Sequence, residues 1–335
     1  MRALVVRLDS FGDVLLAGPA VRAVAARSAH VTLLCGPLGE PAARMLPGVD
    51  DVLVWAAPWE GFTPPGVAEA DVPRLVRLLQ DGAFDVALIL TSFHQSPLPT
   101  ALVLKLAGLP RIGADSVDHP GRLIDVRHRR LPGRHEAEAA LDTAAALGFL
   151  PPPGDDGRLR VLPPPDTISL TGNGPYVVLH PGASAPARAW SPDRCAEAVE
   201  LLADAGHRVV VTGGPDETAL TRTVSGDTAV DLGGRTDPRV LAGVLRTADV
   251  VICGNTGPAH LAAAVGTPVV SLFAPVVPAE RWAPYGVPCI VLGDQKAPCA
   301  DTRALHCPVP GHPCLEEVTG RDVVAAVHKL LEESV

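Results

Sequence analysis

Residues 250–265 read VVICGNTGPAHLAAAV, and the two halves of this run obey different rules. The first four residues are apolar without alternation, as a strand covered on both faces requires. Gly254 and Asn255 permit a tight turn, and Pro258 suits a first helical turn, where its missing N–H is not needed. Residues 256–265 continue as an Ala-rich helix. Strand, tight turn and helix together form the unit of a parallel sheet, because parallel neighbours need a long crossover between them.

The same unit recurs in both directions along the chain. Apolar runs lie at 3–8, 31–35, 52–55, 85–91, 176–180, 208–212 and 269–273, with helical patterns at 19–27, 192–205 and 238–248. The predicted class is α/β, with parallel sheets and right-handed crossovers. Residues 150–175, LPPPGDDGRLRVLPPPDTISLTGNGP, carry proline and glycine too densely for regular structure and cut the pattern near 165. Two domains are expected, 1–165 and 166–335, each able to bury its own core.

Composition narrows the function. Charged residues are 19% and apolar residues 47%, which excludes a disordered, charge-solvated chain. With 28 basic and 37 acidic residues the formal charge is −9, the wrong sign for nucleic acid as main partner. Only Lys105, Lys296 and Lys329 are lysines, a bias of GC-rich codons, so Arg is expected where relatives carry Lys. No run approaches the roughly 18 apolar residues of a membrane span. The start, MRALVVRLD, is too short and too soon charged for a signal peptide, and the expected compartment is the cytosol. The sequence has no G-x-x-x-x-G-K-[ST] loop, no G-x-G-x-x-G after its first strand and no G-x-S-x-G elbow, which disfavours P-loop, dinucleotide and serine-hydrolase chemistry.

Three segments can carry chemistry. In residues 8–14, LDSFGDV, Gly12 lets the backbone approach a ligand closely, and Asp13 stands at the start of a helix. It can act as a general base or complement the helix dipole, and spacing alone favours a cap. In residues 180–192, HPGASAPARAWSP, backbone N–H groups and the Ser184 hydroxyl can meet phosphate oxygens, and Arg188 can grip a diphosphate with two N–H groups. An exposed loop with a solvated arginine is an equally good account. Thr256 and Gly257 place a hydroxyl and free N–H groups at a helix N-terminus, a ready anion site. His260 follows one turn in, where a lone histidine is more often packed than catalytic.

Three ordered blocks go further: FGDVLLAGPAVRAV at 11–24, HPGASAPARAWSPDRCAEAVELLADAGHRVVVTGGPDE at 180–217, and GNTGPAHLAAAVGTPVVSLFAP at 254–275. Together with a cysteine-bearing tail they resemble glycosyltransferase family nine, the ADP-heptose heptosyltransferases of lipopolysaccharide inner-core assembly and their relatives. The resemblance implies a GT-B fold, two Rossmann-like domains facing each other across a central cleft. The first domain would take the acceptor and the second the nucleotide sugar, with the last helix, about 321–332, packing back on the first. It implies inverting transfer of a sugar, heptose from ADP-heptose above all, without metal or cofactor. The acceptor would be a hydroxyl of a glycolipid, glycan or small molecule, approached by loops 56–71 and 92–100. Membrane contact would be peripheral at most, at the inner face.

Residue by residue, Asp13 matches the family's general base, and Arg188 falls where members often carry a phosphate-binding lysine before x-Trp. Thr256, Gly257 and His260 match the phosphate-binding turn, and Asp216 and Glu217 an acidic pair near the nucleoside. Asn255 stands where many relatives have Asp, which weakens the heptose assignment more than the transferase one. A nucleotide-sugar 2-epimerase of the same fold and a non-catalytic nucleotide-sugar binder are the rival readings. Cys299, Cys307 and Cys314, spaced by eight and seven residues around His306 and His312, lack the C-x₂₋₄-C signature of zinc and are expected as packed thiols.

Overall fold

Six parallel strands make the first sheet: β1 (Arg2–Arg7), β2 (His30–Cys35), β3 (Asp51–Val54), β4 (Val86–Ile89), β5 (Ile112–Asp115) and β6 (Val126–His128), in the order β3-β2-β1-β4-β5-β6. The second also has six: β7 (Val177–His180), β8 (Val209–Val211), β9 (Val230–Asp231), β10 (Val250–Gly254), β11 (Val269–Leu272) and β12 (Cys289–Leu292), in the order β12-β11-β10-β7-β8-β9. This computed structural model describes residues 1–333 except Phe62 and Glu69. Two positions of loop 56–71, and Ser334 and Val335 at the end of the second domain, therefore lie outside the described residues. The chain divides into two units, Met1–Leu162 and Pro163–Val335, at the proline-rich segment.

Each sheet reverses its winding once. The first turns back between β1 and β4, the second between β7 and β10. At such a point adjacent crossovers leave in opposite directions, so the strand ends stay open to a ligand. Registers keep those ends level: Val6 lies opposite Ile89, and His180 opposite Cys253.

The central strands are buried throughout, which accounts for their unbroken apolar runs. The sequence pattern did not anticipate β5, β6, β9 or β12. Three of these are sheet edges, two to four residues long and only partly buried; β6 and β9 contain polar residues, and the apolar run of β12 is only four residues long. The fourth, β5, carries Gly113 because Leu147 packs where a Cβ would sit.

Helices cover the sheets through single apolar stripes. Helix Pro192–Asp204 starts at Ser191, whose hydroxyl accepts from the Arg194 N–H, and buries Cys195, Ala198, Val199 and Leu202 at helical spacing. The final helix, Gly320–Glu332, is started by the reciprocal Thr319–Asp322 pair and buries Val323, Ala326, Val327 and Leu330 in the core of the second unit. Gly320 lets it lie against Ala198, because a Cβ there would meet the Ala198 backbone at 3.2 Å. No helix among the described residues is long and apolar enough to cross a membrane.

One buried ion pair ties the first unit's C-terminal stretch to its second helix. Arg22 donates to both oxygens of Asp155 at 2.6 and 2.9 Å and to the Arg158 carbonyl at 2.7 Å. The Arg22 bond, set against the cost of burial, holds the Asp155 carboxyl down to about 2. Asp155 therefore adds stability above the ordinary carboxylate range, and that stability is lost as pH falls from about 4 through about 2. Urea unfolding of wild type and Asp155→Asn between pH 5 and 2 should give a difference that shrinks across this window. A pH-independent difference contradicts the pair's role.

Candidate active site

In the first unit the winding reversal is occupied by charge. Arg7, the last residue of β1, is 3% exposed, and its Nη2 lies 3.0 Å from Asp9, 3.1 Å from Asp13 and 2.8 Å from the Ser92 hydroxyl. Ser92, beyond β4, in turn donates to Asp9 at 3.0 Å. Glu136 approaches the other side of the guanidinium at 4.0 Å and is itself paired with Arg130. A buried charge is tolerated only when paired and hydrogen-bonded, and each partner here comes from a different segment. Burial lowers the tendency of Arg7 to hold its proton, yet Asp9, Asp13 and Glu136 together raise it above its ordinary value.

Asp13 is the third residue of helix Phe11–Leu16, and Ser10 occupies the N-cap position. The cap account of Asp13 is therefore replaced: its carboxylate accepts from Arg7 and, at 2.7 Å, from the Ser10 hydroxyl. It is the more accessible of the two aspartates, 19% exposed against 8% for Asp9. Gly12 is buried beside it. Burial, against the pull of Arg7, pushes the Asp9 carboxyl up to about 7. Two acids thus share one arginine: a buried one that keeps its proton near neutrality and an accessible one held by two donors.

In the second unit the reversal is lined by glycine and backbone. Arg188 ends the 3₁₀ turn Pro186–Arg188 after β7, and a Cβ on Gly254, at the end of β10, would stand 2.9 Å from the Arg188 carbonyl. The Arg188 loop and the Thr256–Gly257 turn are therefore neighbours, brought together because Gly254 has no side chain. Thr256 is the N-cap of helix Gly257–Val265, and its hydroxyl donates to the Gly254 carbonyl at 3.4 Å, leaving the helix N-terminus without a side-chain cap. His260 is buried under this turn at 3% exposure, and Ser184 is exposed on the facing loop.

The adjacent acids Asp216 and Glu217 part company. Glu217 accepts from the Gly214 N–H at 2.7 Å and occupies the space a Cβ on Gly182 would need, so it joins the loops after β7 and β8. Asp216 is exposed. His180 lies 3.9 Å from Glu217 and 3.0 Å from the Thr212 hydroxyl, and burial, opposed by Glu217, lowers its pKa. Sequence reasoning assigned no part to Arg7, Asp9, Glu136 or His180, and took Ser92 only as the start of an acceptor loop. Arg7 alone carried a legible sign, a charge inside an apolar strand that must find partners.

The family model of glycosyltransferase family 9 (heptosyltransferase) matches residues 72–311. The chain belongs to glycosyltransferase family 9. No curated protein matches it in sequence. Among solved structures, this family 9 chain is similar to ADP-heptose LPS heptosyltransferase II of E. coli, at 18% identity over 100% of this chain and 99% of that one, with a TM-score of 0.75. It is also similar to a family 9 glycosyl transferase from Veillonella parvula, 18% identical over 99% and 97% with a TM-score of 0.76. E. coli heptosyltransferase WaaC with ADP-2-deoxy-2-fluoro heptose is 21% identical over the full length of both chains, with a TM-score of 0.71. The two parallel six-stranded sheets are those of the GT-B fold, and the protein is a glycosyltransferase.

The first-unit cluster makes a testable demand. Between pH 4 and 7 the folded protein keeps a proton on Asp9 that the unfolded chain has already lost, so this group's contribution to stability falls as pH rises through that window. Asp9→Asn should remove that component of the slope. Parallel slopes for wild type and variant in urea unfolding from pH 4 to 7.5 contradict the raised acid.

Proposed function

We propose that this glycosyltransferase moves a sugar, heptose from ADP-heptose above all, onto a hydroxyl of a glycoconjugate or small-molecule acceptor, with inversion and without a metal. The observation that carries the donor assignment is the adjacency of the Arg188 loop and the Thr256–Gly257 turn at the open strand ends of β7 and β10. An arginine and an uncapped helix N-terminus supply positive charge and N–H groups to a diphosphate, the task a metal performs elsewhere. Glu217 is placed one strand along, beside the loops after β7 and β8, where a carboxylate can accept ribose hydroxyl bonds. His260 underlies the turn. Asp216 is the weaker member of the acidic pair in this assignment, because its side chain is exposed.

Chemistry then follows from charge development. The acceptor oxygen attacks the anomeric carbon from the face opposite the diphosphate, and the bond to the diphosphate oxygen breaks. Its negative charge develops against Arg188 and the helix N-terminus, where preorganised donors are most effective. Asp13 takes the acceptor proton. A carboxylate held by Arg7 and Ser10 is a modest base, but the hydroxyl becomes strongly acidic as its bond to carbon forms. We place the reaction in the cytosol, with peripheral membrane contact at most. All seven cysteines are free thiols, which suits a reducing compartment.

Asp13→Asn should keep the fold and ADP binding while turnover falls by about 10²–10⁴-fold, the usual contribution of a positioned base. Near-normal turnover would falsify the base assignment. Arg188→Ala should weaken ADP by about 1.5–3 kcal/mol, the range of a charged hydrogen bond, with Arg188→Lys recovering part of it. Calorimetry showing equal ADP affinity, or loss of wild-type binding on adding EDTA, contradicts the metal-free grip.

A further inference from the structure

The tail that carries Cys299, Cys307 and Cys314 closes over the loop that carries Arg188. Ala187, directly before Arg188, is fully buried, and both of its backbone polar groups go to the tail. Its N–H donates to the Leu305 carbonyl at 2.9 Å, and its carbonyl lies 3.1 Å from His312 Nε2. The grip continues through the next residues. Trp190 Nε1–H donates to the Leu315 carbonyl at 3.1 Å, the Ser191 hydroxyl to Glu316 at 3.1 Å, and Arg194 to the Glu316 carbonyl at 3.2 Å. On its other side the loop meets Gly254, so it is held between the tail and β10.

His312 is built for this contact at a cost. Its backbone is left-handed, with φ 49° and ψ 47°, a conformation that non-glycine residues adopt only where their surroundings enforce it. The enforcement is visible. Cys299, Cys314 and Leu315 are buried in the core of the second unit. The Cys307 thiol donates to the Val309 carbonyl at 3.4 Å, and the Asp294 N–H to the Cys314 carbonyl at 3.0 Å. The tail is thus a rigid mount, and the imidazole is its one side chain that reaches the Ala187 carbonyl among the bonds described.

We propose that His312 is a positioning residue for the donor site. By donating from Nε2 to the Ala187 carbonyl it fixes the direction in which Arg188 leaves its 3₁₀ turn, and so the geometry of the grip on a diphosphate. This rests on the assignment of Arg188 to the diphosphate made above. Nε2 is the donor here, because a carbonyl oxygen can only accept. The three thiols stiffen the mount and take no part in the contact.

Two variants separate positioning from mere support of the tail. His312→Gly removes the imidazole and also relieves the left-handed backbone, so stability should change little while ADP affinity falls about fivefold, the effect of one neutral hydrogen bond. His312→Gln restores an amide donor at similar reach and should recover most of that affinity, although it keeps the strained backbone. Hydrogen exchange of the loop 183–190 should quicken in the Gly variant and not in the Gln variant. ADP affinity that merely tracks melting temperature across the two variants, or unchanged loop exchange in His312→Gly, overturns the proposal. If wild type itself binds no ADP, the donor assignment fails instead, and the exchange measurement then tests the clamp by itself.

Discussion

A parallel sheet that reverses its winding leaves two neighbouring strand ends with no connection crossing over them, and both sheets of this chain place their unusual residues there. The constraint is geometric before it is chemical. Crossovers from β1 and β4 depart in opposite directions, as do those from β7 and β10, so no connection passes over either gap. Asp13, Arg188, Thr256 and Gly257 lie within a few residues of these two gaps, while Glu217 stands one strand along and His312 reaches the second gap from the tail.

The gaps are filled by opposite strategies. In the first unit a buried guanidinium is surrounded by Asp9, Asp13 and Glu136, with Ser92 completing the shell. Such a cluster is costly to bury and holds its members in fixed directions, which suits a carboxylate that must meet a hydroxyl at a set angle. In the second unit the gap is kept vacant by glycine. Gly182 yields its space to Glu217, and Gly254 yields to the Arg188 carbonyl. The result is a turn with N–H groups, a hydroxyl and one arginine, the arrangement that the proposed donor site uses for a diphosphate.

The α/β class and eight strands were legible: β1, β2, β4, β7, β8, β10 and β11 because burial writes itself as an apolar run, and the edge strand β3 because Val52, Leu53 and Val54 are apolar although only partly buried or exposed. β6 and β9 were not, since they are short edges with polar residues in them; β12 is an apolar edge of only four residues, and the close approach of Leu147 to Gly113 breaks the pattern of β5. Among site residues, the turns at 184–188 and 256–257 could be read from glycine, proline and hydroxyl spacing. The partners of Arg7 could not, because Ser92 and Glu136 are brought to it by topology rather than by proximity in sequence. His312 illustrates the same limit: its role depends on a carbonyl 125 positions away. Asp13 was legible as a candidate, but its helix position differs from that of a cap, and only the structure shows Ser10 standing there instead.

The proposal that the second unit's winding reversal is the donor site can be decided by a crystal structure of the intact protein with ADP. The diphosphate is expected between the 184–188 loop and the Thr256–Gly257 turn, with Arg188 on its oxygens and the ribose beside Glu217. ADP ordered against the Arg7–Asp9 cluster of the first unit, or in the second unit but away from Arg188 and Thr256, would contradict it.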